Sequence, residues 1–302
     1  MRNKKSDYRA HSKRVEDKKK IKAKSYKSRD SKRNSSKASK KRAQDSVDVC
    51  SISGSCVPTD KAYKLLATQE GISNSKAKAL IDRGLVQVGN KKVAIARGEL
   101  PLKSEFKVQK IERAKVIFEN SDIVVVDKPA FVNSDELERE FKGARLLHRL
   151  DRETSGVLML AKTEEFRSRA ISAFKKLEVY KEYVALVDGV VIEPFIVDKP
   201  IVTQKRHNRA HSTTSIHGKP AITEVTPLEV SSKKSKLKCV IQHGRTHQIR
   251  THLRSAGYSI VGDEQYGGCK ATRVMLHASR VKILDLEFSS PEPKLFSHLI
   301  GN

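Results

Sequence analysis

No run of about 18 apolar residues occurs anywhere in the 302 residues, so no membrane-spanning helix is expected. The opening residues, Met1-Arg2-Asn3-Lys4-Lys5, lead into no apolar stretch, and a secretory signal is not expected either. Cysteine is scarce. Cys50, Cys56, Cys239 and Cys269 form no pair of close pairs of the kind a zinc module uses, and they read as reduced thiols of a cytoplasmic protein. Ten histidines are present, and His207 and His211 stand at i, i+4, but no HExxH or paired cysteine accompanies them. With no glycine-rich phosphate loop as well, neither a metal nor a cofactor is expected. Acidic side chains are in short supply: 35 against 61 Lys and Arg, a formal charge of +26. Such an imbalance calls for a polyanionic partner, either nucleic acid or an anionic membrane surface.

The charge is unevenly spread. Residues 1–48 hold 19 Lys or Arg against 6 Asp or Glu, a net charge of +13. Apolar residues there are few and aperiodic, so residues 1–58 are expected to be a disordered basic tail and linker that adds salt-sensitive affinity for a polyanion. A small unit follows over 59–102. Lys61–Thr68 reads as a helix and Ser73 as the N-cap of a second helix, which Gly84 ends. Leu85–Val88 then alternates as a strand, and Gly89-Asn90 turns it toward Lys91. Residues 110–302 read as a third, globular unit. Ile123–Val126 and Val157–Ala161 are strand-like, and Thr163 caps a helix with Phe166, Ala170, Ile171, Phe174 and Leu177 on one face. Tyr180–Val187 returns as a strand, Asp188-Gly189 turns into Val190-Val191, and Leu237, Cys239 and Ile241 alternate in another strand. Hairpin-linked strands with a few helices imply an α+β domain with a mostly antiparallel, mixed sheet.

Three segments carry the chemistry. The first is His148-Arg149-Leu150-Asp151-Arg152-Glu153-Thr154-Ser155-Gly156, which sets one carboxylate between arginines just before a buried strand. Neighbouring cations keep a carboxylate ionised, which serves a nucleophile and a surface ion pair equally well. The second is Lys181-Glu182-Tyr183-Val184-Ala185-Leu186-Val187, and the third is Gly244-Arg245-Thr246-His247-Gln248-Ile249-Arg250-Thr251-His252. The first resembles the HRLDxxTSG signature of the RluA-type RNA pseudouridine synthases at all seven specified letters. The others resemble that family's KxYxAxV and GR[ST]HQ[IL]RxH segments. Gly262-Asp263-Glu264-Gln265-Tyr266-Gly267 resembles its GDxxYG turn and Leu276-His277-Ala278 its LHA strand. Two features depart from the pattern. Phe131 follows Lys128-Pro129-Ala130 where the family has glycine, and the stretch from there to His148 is short. The order of elements in 59–102 is similar to the S4-like RNA-binding domain that precedes many such catalytic domains, with Asn74 in place of the usual arginine and Gly89-Asn90 inverting the usual order.

The resemblance implies an isomerase that converts uridine to pseudouridine in RNA, with large-subunit (23S-type) ribosomal RNA as substrate. It assigns Asp151 as catalytic carboxylate, Arg250 as its ion-pair partner, Tyr183 against the target base, and Arg149 as filler of the space a flipped-out uridine leaves. Arg245, His247 and Gln248, with Lys76 and Lys91 of the S4-like unit, are the remaining expected RNA contacts. The chemistry suits these residues. Breaking N1–C1′ and rejoining the sugar through C5 transfers no electrons and donates no group, so a positioned carboxylate is what it demands. Arginine's planar fork can hold that carboxylate by two charge-assisted hydrogen bonds. Thr246 is expected to cap the helix that carries Arg250, with Ile249, Leu253 and Ala256 toward the core. A cytoplasmic monomer is expected. The rival reading is a non-catalytic RNA-binding or ribosome-assembly factor that keeps the fold as an RNA clamp.

Overall fold

Two largely apolar runs, Ile123–Lys128 and Ser155–Ala161, pair antiparallel toward one edge of the largest sheet, and each alternates between two buried faces. Val124, Val126, Leu158 and Leu160 enter one core layer, while Ile123, Val125, Val157 and Met159 enter the other. A strand buried on both sides cannot alternate with polar residues, which is why Ile123–Val126 and Val157–Ala161 are continuously apolar. The computed structural model describes residues 57–89, 91–206 and 209–300, within one compact unit that begins at Val57. The expected basic tail up to residue 56, Cys50 and Cys56 with it, Asn90 of the expected turn, and His207 lie outside the described residues.

The N-terminal part of this unit comprises β1 (Thr59–Lys61), α1 (Ala62–Glu70), α2 (Asn74–Asp82), β2 (Val86–Val88), β3 (Lys91–Lys92), β4 (Glu99–Pro101) and β5 (Phe106–Val108). Ser73 Oγ accepts from the Lys76 amide at 3.2 Å and so starts α2. Gly84, at φ +73°, ends its turn. Ala62, Leu66, Ala77, Ile81, Val86 and Phe106 make a separate apolar cluster. β2 pairs with β3 and with β5, the latter beyond residue 102.

The remaining elements are β6 (Lys115–Glu119), β7 (Ile123–Lys128), α3 (Ser134–Glu140), β8 (Arg145–Leu146), β9 (Ser155–Ala161), α4 (Glu164–Lys175), β10 (Tyr180–Asp188), β11 (Phe195–Asp198), β12 (Ile201–Arg206), β13 (Arg209–Thr214), β14 (Ile222–Val230), β15 (Lys234–Ile241), α5 (Gln248–Ser255), β16 (Leu276–Ile283), β17 (Leu286–Ser289) and α6 (Leu295–Ile300). Ten of these strands form one sheet in the order β11-β14-β15-β10-β16-β9-β7-β6, with β8 added on β9 and β17 on β16. Only β9 and β16 run parallel, so the sheet is mixed and mostly antiparallel, flanked by helices. Gly156 makes that parallel joint possible. It sits at φ +112°, and a Cβ there would lie 2.2 Å from the Ala278 carbonyl oxygen. The hairpin of β12 and β13 stands apart as a two-stranded sheet.

Three local expectations are corrected. Val190-Val191 do not form a returning strand; Val191 donates its amide to Ser235 Oγ at 2.8 Å and the chain runs on to β11. Leu177 leaves the α4 face, 44% exposed at φ +61°, and Ala173 takes a place in the core instead. Thr246 is not a cap: His247, at φ +53°, holds that position without a side-chain bond, and Ala256 is exposed.

Candidate active site

Asp151 sits on the loop between β8 and β9, and that loop is fixed from several sides. Leu150 exchanges hydrogen bonds with Ser134 Oγ through its amide and its carbonyl, both at 3.1 Å. The Thr154 amide donates to the Asp151 carbonyl at 3.1 Å. The Arg152 carbonyl accepts from the Phe131 amide at 2.7 Å and from Lys128 Nζ at 3.3 Å. His148 lies inward, its Nε2 accepting from the Met159 amide at 3.2 Å. Burial, and then the charge of Lys181, pulls its pKa down to about 4, which fits an imidazole used as an acceptor. The backbone around Asp151 is thus held in place while its carboxylate keeps 23% of its side-chain surface open.

Arg250 projects from α5 toward that carboxylate. Its Nη1 lies 3.5 Å from Asp151 Oδ2. The fork itself is occupied elsewhere: Nε and Nη2 donate to Asp263 Oδ2 and Oδ1 at 2.7 and 2.8 Å, a buried bidentate pair. Two charge-assisted bonds to Asp151 were expected, and this corrects it. Asp263 takes the bidentate edge and Asp151 faces the third nitrogen, which is buried and has no hydrogen-bond partner. Burial opposes the guanidinium charge, but the bonds and charge of Asp263, with Asp151 and Glu153 behind, outweigh it and raise its pKa. Arg250 therefore carries a permanent charge, clamped along one edge and offering a free N–H on the other.

His247 Nε2 lies 3.9 Å from Asp151 Oδ1. Its Nδ1 is 2.9 Å from the Tyr266 hydroxyl, which itself accepts from the Ser212 amide at 2.8 Å. The Tyr266 hydroxyl thus ties Nδ1 of His247 to the β13 backbone and leaves Nε2 facing Asp151. Burial lowers the pKa of His247, with the Asp151 charge acting in the opposite sense, so the neutral imidazole prevails at pH 7. Tyr266 also lies under the Arg250 guanidinium at 4.9 Å and stacks on His211 at 5.1 Å. Tyr183, on β10 between β15 and β16, is buried at 8% exposure. Burial, and then the Asp151 charge, push its phenol pKa up, so it is a protonated hydrogen-bond donor.

Asp151, Arg250, Tyr183 and His247 thus come together. The other expected contacts stand differently. Arg149 points outward and pairs with Asp135 at 2.8 Å, both ends at least half exposed. Arg245 Nε donates to the Pro220 carbonyl at 3.0 Å. Gln248 is 3% exposed, its amide group bonded to the Ile222 carbonyl and Thr223 Oγ1 while its oxygen accepts from the Arg245 amide. These bonds tie the start of α5 to β14 and to the Arg245 backbone. Lys76 and Lys91 are exposed on α2 and β3, outside this cluster. Asp263 and Tyr266 had been given no role. The GDxxYG turn marked both, but their pairing with Arg250 and His247 depends on where the turn folds back. Among the described residues, no group of three or more His, Cys, Asp or Glu is placed to hold a metal ion.

The family pattern described as RNA pseudouridylate synthase matches residues 122–255, which include Asp151, Tyr183 and Arg250. An uncharacterized RNA pseudouridine synthase of Helicobacter pylori (strain J99) is 48% identical over 240 residues, 78% of this chain and 99% of the relative. The ribosomal large subunit pseudouridine synthase D of Escherichia coli O6:H1 is 27% identical over 255 residues, 70% of this chain and 77% of that one. Among solved structures, human RNA pseudouridylate synthase domain containing 1 superposes with a TM-score of 0.55 at 31% identity, covering 62% of this chain and 86% of its own. The chain belongs to the RNA pseudouridine synthase family, of the RluA type, and is an isomerase that converts uridine to pseudouridine in RNA.

Proposed function

We propose that Asp151 is the catalytic carboxylate, acting on the sugar of a uridine swung out of large-subunit ribosomal RNA. The observation that carries this reading is the pairing of a partly open carboxylate with Arg250 Nη1 at 3.5 Å, the far edge of Arg250 being locked on Asp263. A carboxylate held this way meets an electron-poor C1′ without first having to be oriented, as carboxylates do in glycoside cleavage. The N1–C1′ bond breaks, the base turns, C5 joins C1′, C5 gives up its proton and N1 gains one. Asp151 acts at the sugar either by adding to it or by taking a proton from it. Tyr183, protonated, stacks on the base or donates to it, and stacking contributes roughly 1–3 kcal/mol toward the cost of extrusion. Arg149, exposed and paired only with exposed Asp135, is free to swing into the space the uridine leaves. Arg245 and His247 line the approach. Lys76 and Lys91, on an S4-like unit, meet phosphates nearby and set the RNA's register, and the enzyme works as a cytoplasmic monomer.

Asp151→Asn is nearly isosteric and uncharged. Incubated with large-subunit rRNA transcripts and mapped with carbodiimide, it should give no new pseudouridine while binding the RNA about as well as the wild type. Wild-type-level product from this variant would sink the mechanism, and absence of product from the wild type would favour a non-catalytic RNA clamp.

A further inference from the structure

Phe131 is a bulky residue at φ +70°, a left-handed conformation that costs a non-glycine side chain about 1 kcal/mol or more. It stands where the family pattern has glycine. Strain of this kind persists only where the surroundings hold it, and here they can be named. The ring is 5% exposed and packs with Ala130, Leu85, Leu80 and Ile111 in a cluster of its own. Leu85 and Leu80 belong to the N-terminal part of the chain. Leu85, 1% exposed, is absent from that part's own core and is covered instead by Phe131. The backbone of Phe131 meanwhile donates to the Arg152 carbonyl, one residue past Asp151, at 2.7 Å.

Two polar contacts flank this plug. Arg83, at the end of α2, pairs with Glu136 of α3 at 2.6 Å. Arg152 Nη1 donates to the Asp82 carbonyl at 3.4 Å. Beneath them Lys128, fully buried, donates to the carbonyls of Pro129, Val132 and Arg152 at 3.0, 2.8 and 3.3 Å. Segments 129–132 and 150–153 are thus tied into one piece, and residues 82–85 rest on it.

We infer that Phe131, seated on Leu85, is a positioning residue through which the N-terminal part of the chain buttresses the Asp151 loop. A free accessory unit would change only how tightly RNA is held. A buttress changes how well Asp151 is aimed, and so acts on the chemical step. The inference rests on Asp151 being the catalytic carboxylate, but its effect on the loop can be read without activity.

The test compares the full-length chain with Phe131→Gly, Leu85→Ala and their double variant. Glycine accepts φ +70° without strain, so Phe131→Gly removes the ring and leaves the backbone free to keep its bond to Arg152. Turnover of rRNA should fall about tenfold in kcat for each single variant, with KM changed by less than about twofold. The double variant should be little worse than either alone, because both remove the same contact. Phe131→Leu should restore most of the rate. Arg83→Ala, which takes away a partly exposed ion pair and no core atom, should give a smaller loss of the same kind and covers the case in which Leu85→Ala does not fold. Hydrogen exchange supplies the activity-independent arm: the Thr154 amide, bonded to the Asp151 carbonyl at 3.1 Å, should exchange faster in Phe131→Gly. Unchanged exchange there, a loss confined to KM, or additive single effects would each overturn the inference. A wild type that makes no pseudouridine while the exchange effect holds would instead count against the catalytic assignment of Asp151.

Discussion

Asp263 lies 1% exposed beneath Arg250, bonded to it at 2.7 and 2.8 Å. Breaking a buried ion pair by neutralising one partner leaves the other charge uncompensated, at a cost of about 3–5 kcal/mol. Asp263→Asn keeps one acceptor but turns an N–H toward the guanidinium donors. We expect it to lower the unfolding free energy by an amount in that range, read as a lower urea midpoint, and to lower single-turnover rates in the protein that remains folded. An unchanged midpoint would show that Asp263 is not what holds Arg250. His148 gives the pH dependence. Its folded pKa, about 4, lies below the ordinary 6.5, so the fold favours the neutral ring. Between those values the unfolded chain binds the extra proton. The contribution is therefore complete above pH 6.5 and is lost as pH falls toward 4, to the extent of about 3 kcal/mol. His148→Gln can place its amide oxygen where Nε2 accepts from Met159 and does not titrate. Urea unfolding at pH 7 and pH 5 should show a smaller drop for the variant than for the wild type, and equal drops would refute the assignment.

At the scale of elements, the parallel joint between β9 and β16 joins two of the sequence motifs: the last glycine of the HRLDxxTSG stretch meets the alanine of the LHA strand. Gly156→Ala would drive a Cβ to 2.2 Å from the Ala278 oxygen at a backbone angle that alanine resists. Neither atom can yield, since both belong to paired strands. A loss above about 3 kcal/mol is expected, read as insoluble expression or a much lower melting temperature, and near-wild-type melting would mean that the joint can open. Elements with strong periodicity or a side-chain cap were legible beforehand: β7, β9, β10, β15, and the helices started by Ser73 and Thr163. α3 was not, because Ser134–Glu140 is almost wholly polar and buries only Ser134 and Leu137. The β12 and β13 hairpin was not either, since its strands carry Lys, Arg, Ser and Thr without alternation and are held in part by Ser212 bonding to Tyr266 and to the Thr246 carbonyl. Asp151, Tyr183 and Arg250 each stand in a local motif, so their positions, unlike their partners in space, can be read along the chain. The fork of Arg250 was misassigned because its nearest charge in sequence logic was not its nearest in space. The role of Phe131 was hidden because its partner, Leu85, lies 46 residues earlier in the chain.

Over the whole molecule the dominant quantity is charge. Of the formal +26, residues 1–48 contribute +13, and the remainder is basic in its own right. Each lysine or arginine seated on a phosphate releases counterions, so the logarithm of RNA affinity falls with the logarithm of salt concentration by about 0.7 for every single-strand contact and about 0.9 for every duplex contact. The catalytic cluster adds little to this slope, because Arg250 is neutralised internally by Asp263 and faces Asp151. The slope should therefore report on the tail and on exposed cations such as Lys76 and Lys91. Deleting residues 1–48 is expected to flatten the dependence, by about three units if about four tail cations sit on phosphates, and to do so alike for rRNA fragments with and without the target uridine. Titrations of labelled RNA between low and moderate salt decide the matter. A deletion that lowers affinity at every salt concentration without changing the slope would mean that the tail acts by something other than phosphate contact.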